Sequence, residues 1–516
     1  MTHLDLAIIV LYLLFITWRG FKFRKDYSTT EDFFLAGRTL SWPLIGLSLY
    51  ATNISITSVI GMSSSGYETG ISVFNYEWTG AVMLIIFAVF IVPHYLKFRL
   101  TTMPEFLGRR FDDRSRLYFS VISIMVSVLI DIAGALYASS VLLKGIFPEV
   151  ELYVFIFLMA VVTGLYTIAG GLRAVIVTDS IQAIMLTVAC IIVSAVAFYQ
   201  VGSWEEVRSS IDTQFLSLIQ STDDPFIPWP TLLVSLPILG FYFMCSNQHM
   251  VQRVLGARSV EDGRKGAIFA AFLKLPLLFI IVLPGTLGLI LYPEIENPNL
   301  IFSELIFDFL PVGVLGLILT GFIAALMSSI DSALTASSSI ATLDIYRKYR
   351  PDSSQKKLLK IGKIFILIAV TLASLWAPMI DQFPTLWEYL QAVLAYLSPP
   401  VVTCYLAGLF WKRATSHAAF YSLVTGGVVA LLLVVINFIL PFYTIHYLYS
   451  ATIIFLVSCL AMVVVSLRWP DDSFDKFQST VQPVDTPVEN IPWYKSHKAF
   501  AVAVLIITGI VVYLFW

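Results

Sequence analysis

Three groups of polar residues lie in stretches too apolar to be surface loops, and their types suit the holding of a small cation and a hydroxyl-rich molecule. The first is Ser48-Leu-Tyr-Ala-Thr-Asn-Ile-Ser-Ile-Thr-Ser58, continuing into Gly61-Met62-Ser63-Ser64-Ser65-Gly66. Ser, Thr and Asn offer side-chain bonds that compete with helical ones. A helix break here exposes carbonyls able to coordinate a cation, as in discontinuous transporter helices, although the same hydroxyls also serve as packing groups. In the second group, Ala325, Ser328, Ser329 and Ser332 share one helix face. Adjacent hydroxyls with a free carbonyl suit a hard monovalent cation, and the group is too poor in carboxylate for a tight divalent one. Asp331 and Ser332 can serve a second ion, or Asp331 can cap or pair at a helix end. The third group is scattered: Glu77, Asp131, Asp179, Lys274 and Gln391. Lys274 lies in Phe272-Leu-Lys-Leu-Pro-Leu-Leu-Phe279 and needs a partner there, with Glu77 and Asp131 as candidates. Donors and acceptors of this kind also suit a polyhydroxylated ligand.

The elements that position these residues must cross a bilayer. Hydrophobic residues are 58% of the 516, charged residues 13%, and mean hydropathy is +0.84, against about 25% charged in a soluble chain. A span needs about 20 mostly apolar residues. That criterion predicts an all-α chain with about fourteen transmembrane helices, at 4–22, 43–65, 76–96, 117–143, 151–169, 174–200, 229–250, 266–292, 311–345, 359–379, 386–411, 416–439, 446–467 and 499–515. The stretch 311–345 is too long for one crossing and is expected to continue as a cytoplasmic helix through Asp344-Ile-Tyr346. With the N-terminus outside, this count puts 29 of 32 Lys and Arg on one side, leaving Lys144 and Arg208 opposite and Lys274 within a span. The positive-inside rule makes the basic side cytoplasmic, and both termini are then extracytoplasmic in a cell (inner or plasma) membrane.

Met1-Thr-His-Leu-Asp-Leu6 has no basic leader, and the apolar run ending at Trp18 is followed by Arg19 and Lys22 rather than a cleavage site. Loops 201–228 and 468–498 are too short for a core of their own, so 1–516 reads as a single membrane domain. No phosphate-binding loop is present. A net charge of -2 points to no nucleic acid, leaving a small solute, Na+ and the lipid bilayer as expected partners. Cys190, Cys245, Cys404 and Cys459 lie in apolar stretches and read as small core residues. The six His show no metal-ligand spacing, and His94 and His249, near span ends, read as interfacial.

Several stretches resemble the solute:sodium symporter family, specifically its sodium/sugar branch. They are Asn53-Ile-Ser55, Ile60-Gly-Met-Ser-Ser-Ser-Gly-Tyr67, Tyr76-Glu-Trp78, Met103-Pro-Glu-Phe106, Gly170-Gly-Leu-Arg-Ala-Val-Ile-Val-Thr-Asp-Ser-Ile-Gln182, Asn247-Gln248 with Gln252-Arg253, Ala270-Ala-Phe-Leu-Lys274, and Ser328-Ser329 through Asp344-Ile-Tyr346. The resemblance implies a leucine-transporter-type fold with a core of two inverted five-helix repeats, about 43–200 and 229–411. The helices at 4–22, 416–467 and 499–515 would flank it. No residue pattern recurs visibly between the halves.

The resemblance also implies sodium at the carbonyls of Ala51, Ile54 and Ala325 and the hydroxyls of Ser328 and Ser329. Asp179 matches a carboxylate that supports sodium binding in some members, and with Ser328, Asp331 and Ser332 it is a candidate second ion site. Glu77, Lys274 and Gln391 match positions that bond the sugar in the bacterial galactose member, while Met62, Tyr76 and Trp387 match the outer gate. The match departs at Ser58, where the family has a sugar-contacting Gln, at Gly240, where it has Asn, and at the inner gate, where Phe243 replaces Tyr beside Tyr242. Two lost amides change which polyol fits. The expected activity is therefore sodium-coupled symport by alternating access, with no organic cofactor and no enzymatic step. The expected solute is a sugar, with inositol, an amino sugar, sialic acid or another sugar acid as alternatives. A transporter-like sensor is the competing class, disfavoured because the chain ends at Trp516 directly after a span. Proton coupling is disfavoured because the strongest ion cluster is hydroxyl and carbonyl rather than carboxylate.

Overall fold

The structure is a computed structural model describing residues 4–5, 7–8, 10–11, 35–147, 149–169, 172–311, 313–439, 444–479 and 496–516. Most of the expected first span, and the side chains of Asp179 and Ser328, lie outside the described residues.

The described residues form helices joined by short turns, among them α1 (Trp42–Asn53), α2 (Ile56–Thr69), α3 (Asn75–Ile86), α4 (Asp113–Val126), α5 (Ala133–Ile146), α6 (Leu152–Ala169) and α7 (Leu172–Val201). They continue with α8 (Ser235–Phe241), α9 (Gln248–Leu255), α10 (Val260–Lys274), α11 (Leu283–Leu291), α12 (Val314–Ile340), α13 (Gln355–Trp376), α14 (Leu386–Leu397), α15 (Pro399–Phe410), α16 (Ser416–Val434), α17 (Tyr447–Arg468) and α18 (His497–Leu514). Among the described residues nine helical stretches are long and apolar enough to cross a membrane, or ten if α14 and α15 count as one bent span. Their lipid-side faces carry exposed Leu, Ile, Val and Phe, as expected where hydrocarbon rather than water is the solvent.

The folded chain divides several of the fourteen expected spans differently. Ile56–Lys97 is one stretch by length, yet it turns at Gly70, whose φ of 70° is in the left-handed region. Glycine tolerates that conformation without strain. The expected span 43–65 is two helices, because α1 stops at Asn53 and α2 starts after Ser55, whose hydroxyl caps the Ser58 amide. The expected span 229–250 is likewise interrupted. A π turn, Tyr242–Ser246, leads into Asn247 at φ −69°, ψ 125°, and the Asn247 side chain caps α9. The stretch 386–411 bends by 54° between α14 and α15, where Pro399 and Pro400 lack amide donors. The long helix α12 runs on through a π turn, Ala341–Tyr346, as its length required.

Glycines set the approach of the elements that carry the polar residues. α1 packs along α10, and a Cβ added at Gly266 would lie 2.7 Å from Ile45 Cβ. One added at Gly46 would lie 2.9 Å from the Gly266 carbonyl oxygen. Small residues permit such backbone contact in membrane helices. Gly46 and Asn53 are seven residues apart on α1, and Gly266 and Lys274 eight apart on α10, so each pair shares a face. The glycine contact therefore brings Asn53 to Lys274. α2 packs on α11 in the same way, with Ser63 Oγ donating to the Ile281 carbonyl (2.9 Å) and Thr286 Oγ1 to the Gly66 carbonyl (2.9 Å). Gly266→Val is expected to overpack this seam by about 1–3 kcal/mol, read as a lower Tm of the detergent-purified protein; an unchanged Tm would remove the seam from the account.

Candidate functional site

The interruptions in α1–α2 and α8–α9 face one cavity of about 100 Å³, lined in part by Thr52, Asn53, Ser55, Thr57 and Ser58 from the first break. That is room for several water molecules. Tyr76, Glu77, Asp131, Gly240, Phe243, Ser329, Trp387 and Gln391 complete the sequence-expected part of the lining.

Lys274 lies at the end of α10, where Leu275 and Pro276 end the helix; it is not among the lining residues but bonds two that are, Glu77 and Asn53. Its ammonium lies 2.5 Å from Glu77 Oε2 and also donates to Asn53 Oδ1. The two side chains are 1% and 3% exposed. A lone ammonium in this position is prohibitively costly, and a carboxylate with a second acceptor removes most of that cost. Of the two partners open to Lys274 on sequence, Glu77 is the one present. Ser58 Oγ donates to the Asn53 carbonyl (2.5 Å), tying the start of α2 back across the break.

Trp387 and Tyr76 cover one side of the cavity. Their rings meet edge to face at 5.7 Å, and the Tyr76 hydroxyl is 2.9 Å from that of Tyr447. Met62 is fully buried, but it is not among the lining residues. Phe243 closes another side, in the π turn that precedes α9.

Of the expected ion ligands, Ala51 and Ile54 lie at the end of α1, where the break leaves helix-end carbonyls, whereas Ala325 and Ser329 lie within α12. Ile54 donates its amide to the Tyr50 carbonyl (2.7 Å), ending α1, so the carbonyls after Tyr50 have no continuing helix to bond. Ala51, Ile54, Ala325 and Ser329 are all buried. Ser329 lines the cavity, and its hydroxyl donates to the Ala325 carbonyl (2.8 Å). A turn further along α12, Ser332 Oγ accepts from Arg253 Nη2 (2.7 Å), and Asp331 is buried beside it.

Three site features were not legible in sequence. Asn53 lies inside the first polar group, but its bond to Lys274 spans 221 positions. His249, expected at an interface, is buried and lines the cavity, with Nδ1 3.8 Å from Asp131 Oδ2. The reason is the break at Asn247, which turns the first residues of α9 beneath the cavity. His94, by contrast, is exposed at its helix end. Asp131 itself sits in a π turn, Ser127–Ile132, an irregularity often found at functional sites. Tyr447 was not anticipated, because the span 446–467 was read as a flanking helix.

A multi-pass helical membrane protein with a buried, charge-paired polar cavity at broken helices is a solute carrier in class. Comparison with known proteins makes the class specific. A profile described as "Sodium:solute symporter family" matches residues 33–426. Rabbit sodium/glucose cotransporter 1 is 31% identical over 520 residues, covering 90% of this chain and 78% of the relative. Rabbit sodium/myo-inositol cotransporter 2 is 32% identical over 520 residues, covering 90% and 76%. Human sodium/myo-inositol cotransporter 2 is 31% identical over 550 residues, covering 96% and 79%. In fold, the chain is similar to a substrate-bound, outward-open Na+-coupled sialic acid symporter, with a TM-score of 0.78 at 21% identity over 91% of this chain and 99% of that one. It is also similar to a nucleobase-cation-symport-1 family transporter in a closed conformation, with a TM-score of 0.58 at 14% identity over 86% and 97%. The chain belongs to the sodium:solute symporter family. It is a symporter in which sodium is the co-transported ion.

The ion pair makes its own prediction. Glu77→Gln and Lys274→Met are each expected to destabilise by about 3–5 kcal/mol, since each leaves a buried charge unpaired. Combining them should cost clearly less than the sum. Thermal unfolding of the three purified variants checks this, and simple additivity would show that the two charges do not depend on each other.

Proposed function

We propose that the protein imports a small, uncharged, polyhydroxylated solute, a sugar or a cyclic polyol, together with sodium by alternating access. The observation that carries this is the Glu77–Lys274–Asn53 cluster, two of whose members, Glu77 and Asn53, line the cavity together with Gln391. Hydroxyl groups can donate to the carboxylate and accept from the ammonium without a net charge of their own. Because Glu77 already neutralises Lys274, the cluster offers no free positive charge to a sugar acid, and this favours a neutral polyol over sialic acid. Both sodium/glucose and sodium/myo-inositol cotransporters are among the relatives, so hexose and inositol are both within the proposed class. Ser58, Glu77, Lys274 and Gln391 are the proposed solute contacts, behind an outer gate of Met62, Tyr76 and Trp387. Phe243 is the proposed inner gate.

Sodium is placed at the carbonyls of Ala51, Ile54 and Ala325 and the hydroxyls of Ser328 and Ser329. The end of α1 at Asn53 and the burial of Ser329 on the same cavity support that placement. A second ion would use Asp179, Ser328, Asp331 and Ser332, and it would have to displace Arg253 from Ser332. The proposed architecture is fourteen spans in the cell membrane, with both termini extracytoplasmic. Its core is two inverted five-helix repeats, at about 43–200 and 229–411. The interruptions at Ile54–Ser55 and Asn247 support the repeat, since each falls in the first span of its half. One inward charge then contributes about 2.3 kcal/mol per 100 mV to accumulation.

Uptake into proteoliposomes under inward sodium or choline gradients tests the reading, with glucose, galactose, myo-inositol and sialic acid as solutes. Sodium-dependent accumulation of at least one neutral polyol, with sialic acid excluded, is expected. Preference for sialic acid would overturn the neutral-solute assignment. Ser329→Ala should raise the half-saturating sodium concentration about tenfold or more, a change of about 1.4 kcal/mol, at nearly unchanged maximal rate in saturating sodium. A sodium response identical to the wild type would take Ser329 out of the ion site.

A further inference from the structure

A second polar pair lines the same cavity and has no part in the site as built so far. Asp131 projects from the π turn between α4 and α5, and His249 from the first turn of α9. Their side chains are 6% and 5% exposed. Asp131 Oδ2 and His249 Nδ1 stand 3.8 Å apart, beyond hydrogen-bond length. Neither Asp131 Oδ2 nor either ring nitrogen of His249 has a hydrogen-bond partner within the protein. Buried polar atoms are almost always satisfied, so each exception needs an explanation. The contrast with the neighbouring pair is direct. Lys274 and Glu77 are closed on each other at 2.5 Å, with Asn53 as a further acceptor, whereas Asp131 and His249 line the cavity and stand open. A closed pair already has its charges matched within the protein. An open one of this spacing leaves an acceptor and an imidazole for an oxygen that bonds both.

We propose that Asp131 and His249 are specificity-determining solute contacts, forming a second pole of the binding site. A hydroxyl of the solute donates to Asp131 Oδ2 while a ring nitrogen of His249 bonds the same hydroxyl or its neighbour. The solute is then a ring or chain with hydroxyls at two separated positions, one group meeting Lys274, Asn53 and Gln391 and the other meeting Asp131 and His249. A carboxylate at the second position would face the Asp131 carboxylate and be rejected. This inference rests on the neutral-polyol reading above and names the residues that set its selectivity.

The test is sodium-driven uptake of glucose, galactose and myo-inositol, and of their monodeoxy analogues, by proteoliposomes of the wild type, Asp131→Asn and His249→Gln. For the best parent solute, the wild type should show a KM about tenfold or more lower than for one particular deoxy analogue. In both variants the parent's KM should rise about tenfold, while that one analogue's KM stays within about twofold of its wild-type value. Loss of discrimination at a single hydroxyl is not expected of a pair that only supports the fold. If parent and all analogues weaken together, or if the variants keep the wild-type profile, the pair does not contact solute. A wild type that moves none of the three parents with sodium would instead overturn the parent reading, and this inference with it. Folding is checked by gel-filtration profile and by the sodium-induced rise in Tm. His249→Gln carries the test should Asp131→Asn not fold.

Discussion

The ammonium of Lys274 is the constraint around which the rest of the site is arranged. An apolar helix can carry it only where a carboxylate and a further acceptor meet it. Those acceptors come from two other elements, Glu77 at the start of α3 and Asn53 at the end of α1. To bring Asn53 within reach, α1 must lie almost backbone to backbone with α10, which Gly46 and Gly266 allow. To present its side chain there, Asn53 must be the last residue of a helix rather than the middle of one. The break at Ile54–Ser55, the glycine seam and the end of α10 before Pro276 are therefore parts of one solution.

Irregular backbone is tolerated at membrane depth only where it is buried in protein or lines a polar cavity. Several of the irregularities here follow that rule. The break after Asn53, the π turns Ser127–Ile132 and Tyr242–Ser246 and the break at Asn247 each contribute residues to one cavity. The end of α10 before Pro276 brings Lys274 to the lining residue Glu77. The bend between α14 and α15 lies one turn beyond the lining residue Leu394. Backbone groups released by these interruptions find partners locally: Ser58 Oγ takes the Asn53 carbonyl, and Asn247 caps α9. Among the side chains left without a partner, Asp131 and His249 face the cavity.

Much of this was legible in sequence where a residue's cost is local. A Ser, Thr and Asn cluster inside an apolar stretch announces a break whatever packs against it, and the break is at Ile54–Ser55. A Lys in hydrocarbon announces a partner. Which partner is a matter of tertiary contact, and Glu77 could not be told from Asp131 at separations of 197 and 143 residues. The interruption at Asn247 carried no local sign, since Cys-Ser-Asn-Gln-His has neither Gly nor Pro and reads as a polar helix end. His249 was misplaced for that reason. The number of crossings depends on treating short helices on either side of a break as one span, and a length criterion applied to the folded chain divides Trp42–Lys97 differently from a hydropathy window.

Placing both ligands on the same broken segment gives coupling a physical basis. Asn53 belongs to the solute side through Lys274, while Ala51 and Ile54, its near neighbours, belong to the proposed ion side. A cation held by the carbonyls of Ala51 and Ile54 and by Ser329 on α12 would fix the end of α1 against α12. It would thereby fix Asn53, the acceptor that orients the ammonium. A solute bonded to Lys274 and Glu77 would hold the same residue from the other side. Each ligand then meets a segment already ordered by its partner, and the ordering cost falls once rather than twice. By linkage the gain in solute affinity from sodium equals the gain in sodium affinity from solute. On the proposed placement of the two ligands, the single break between α1 and α2 would couple the two binding events without a longer path between them.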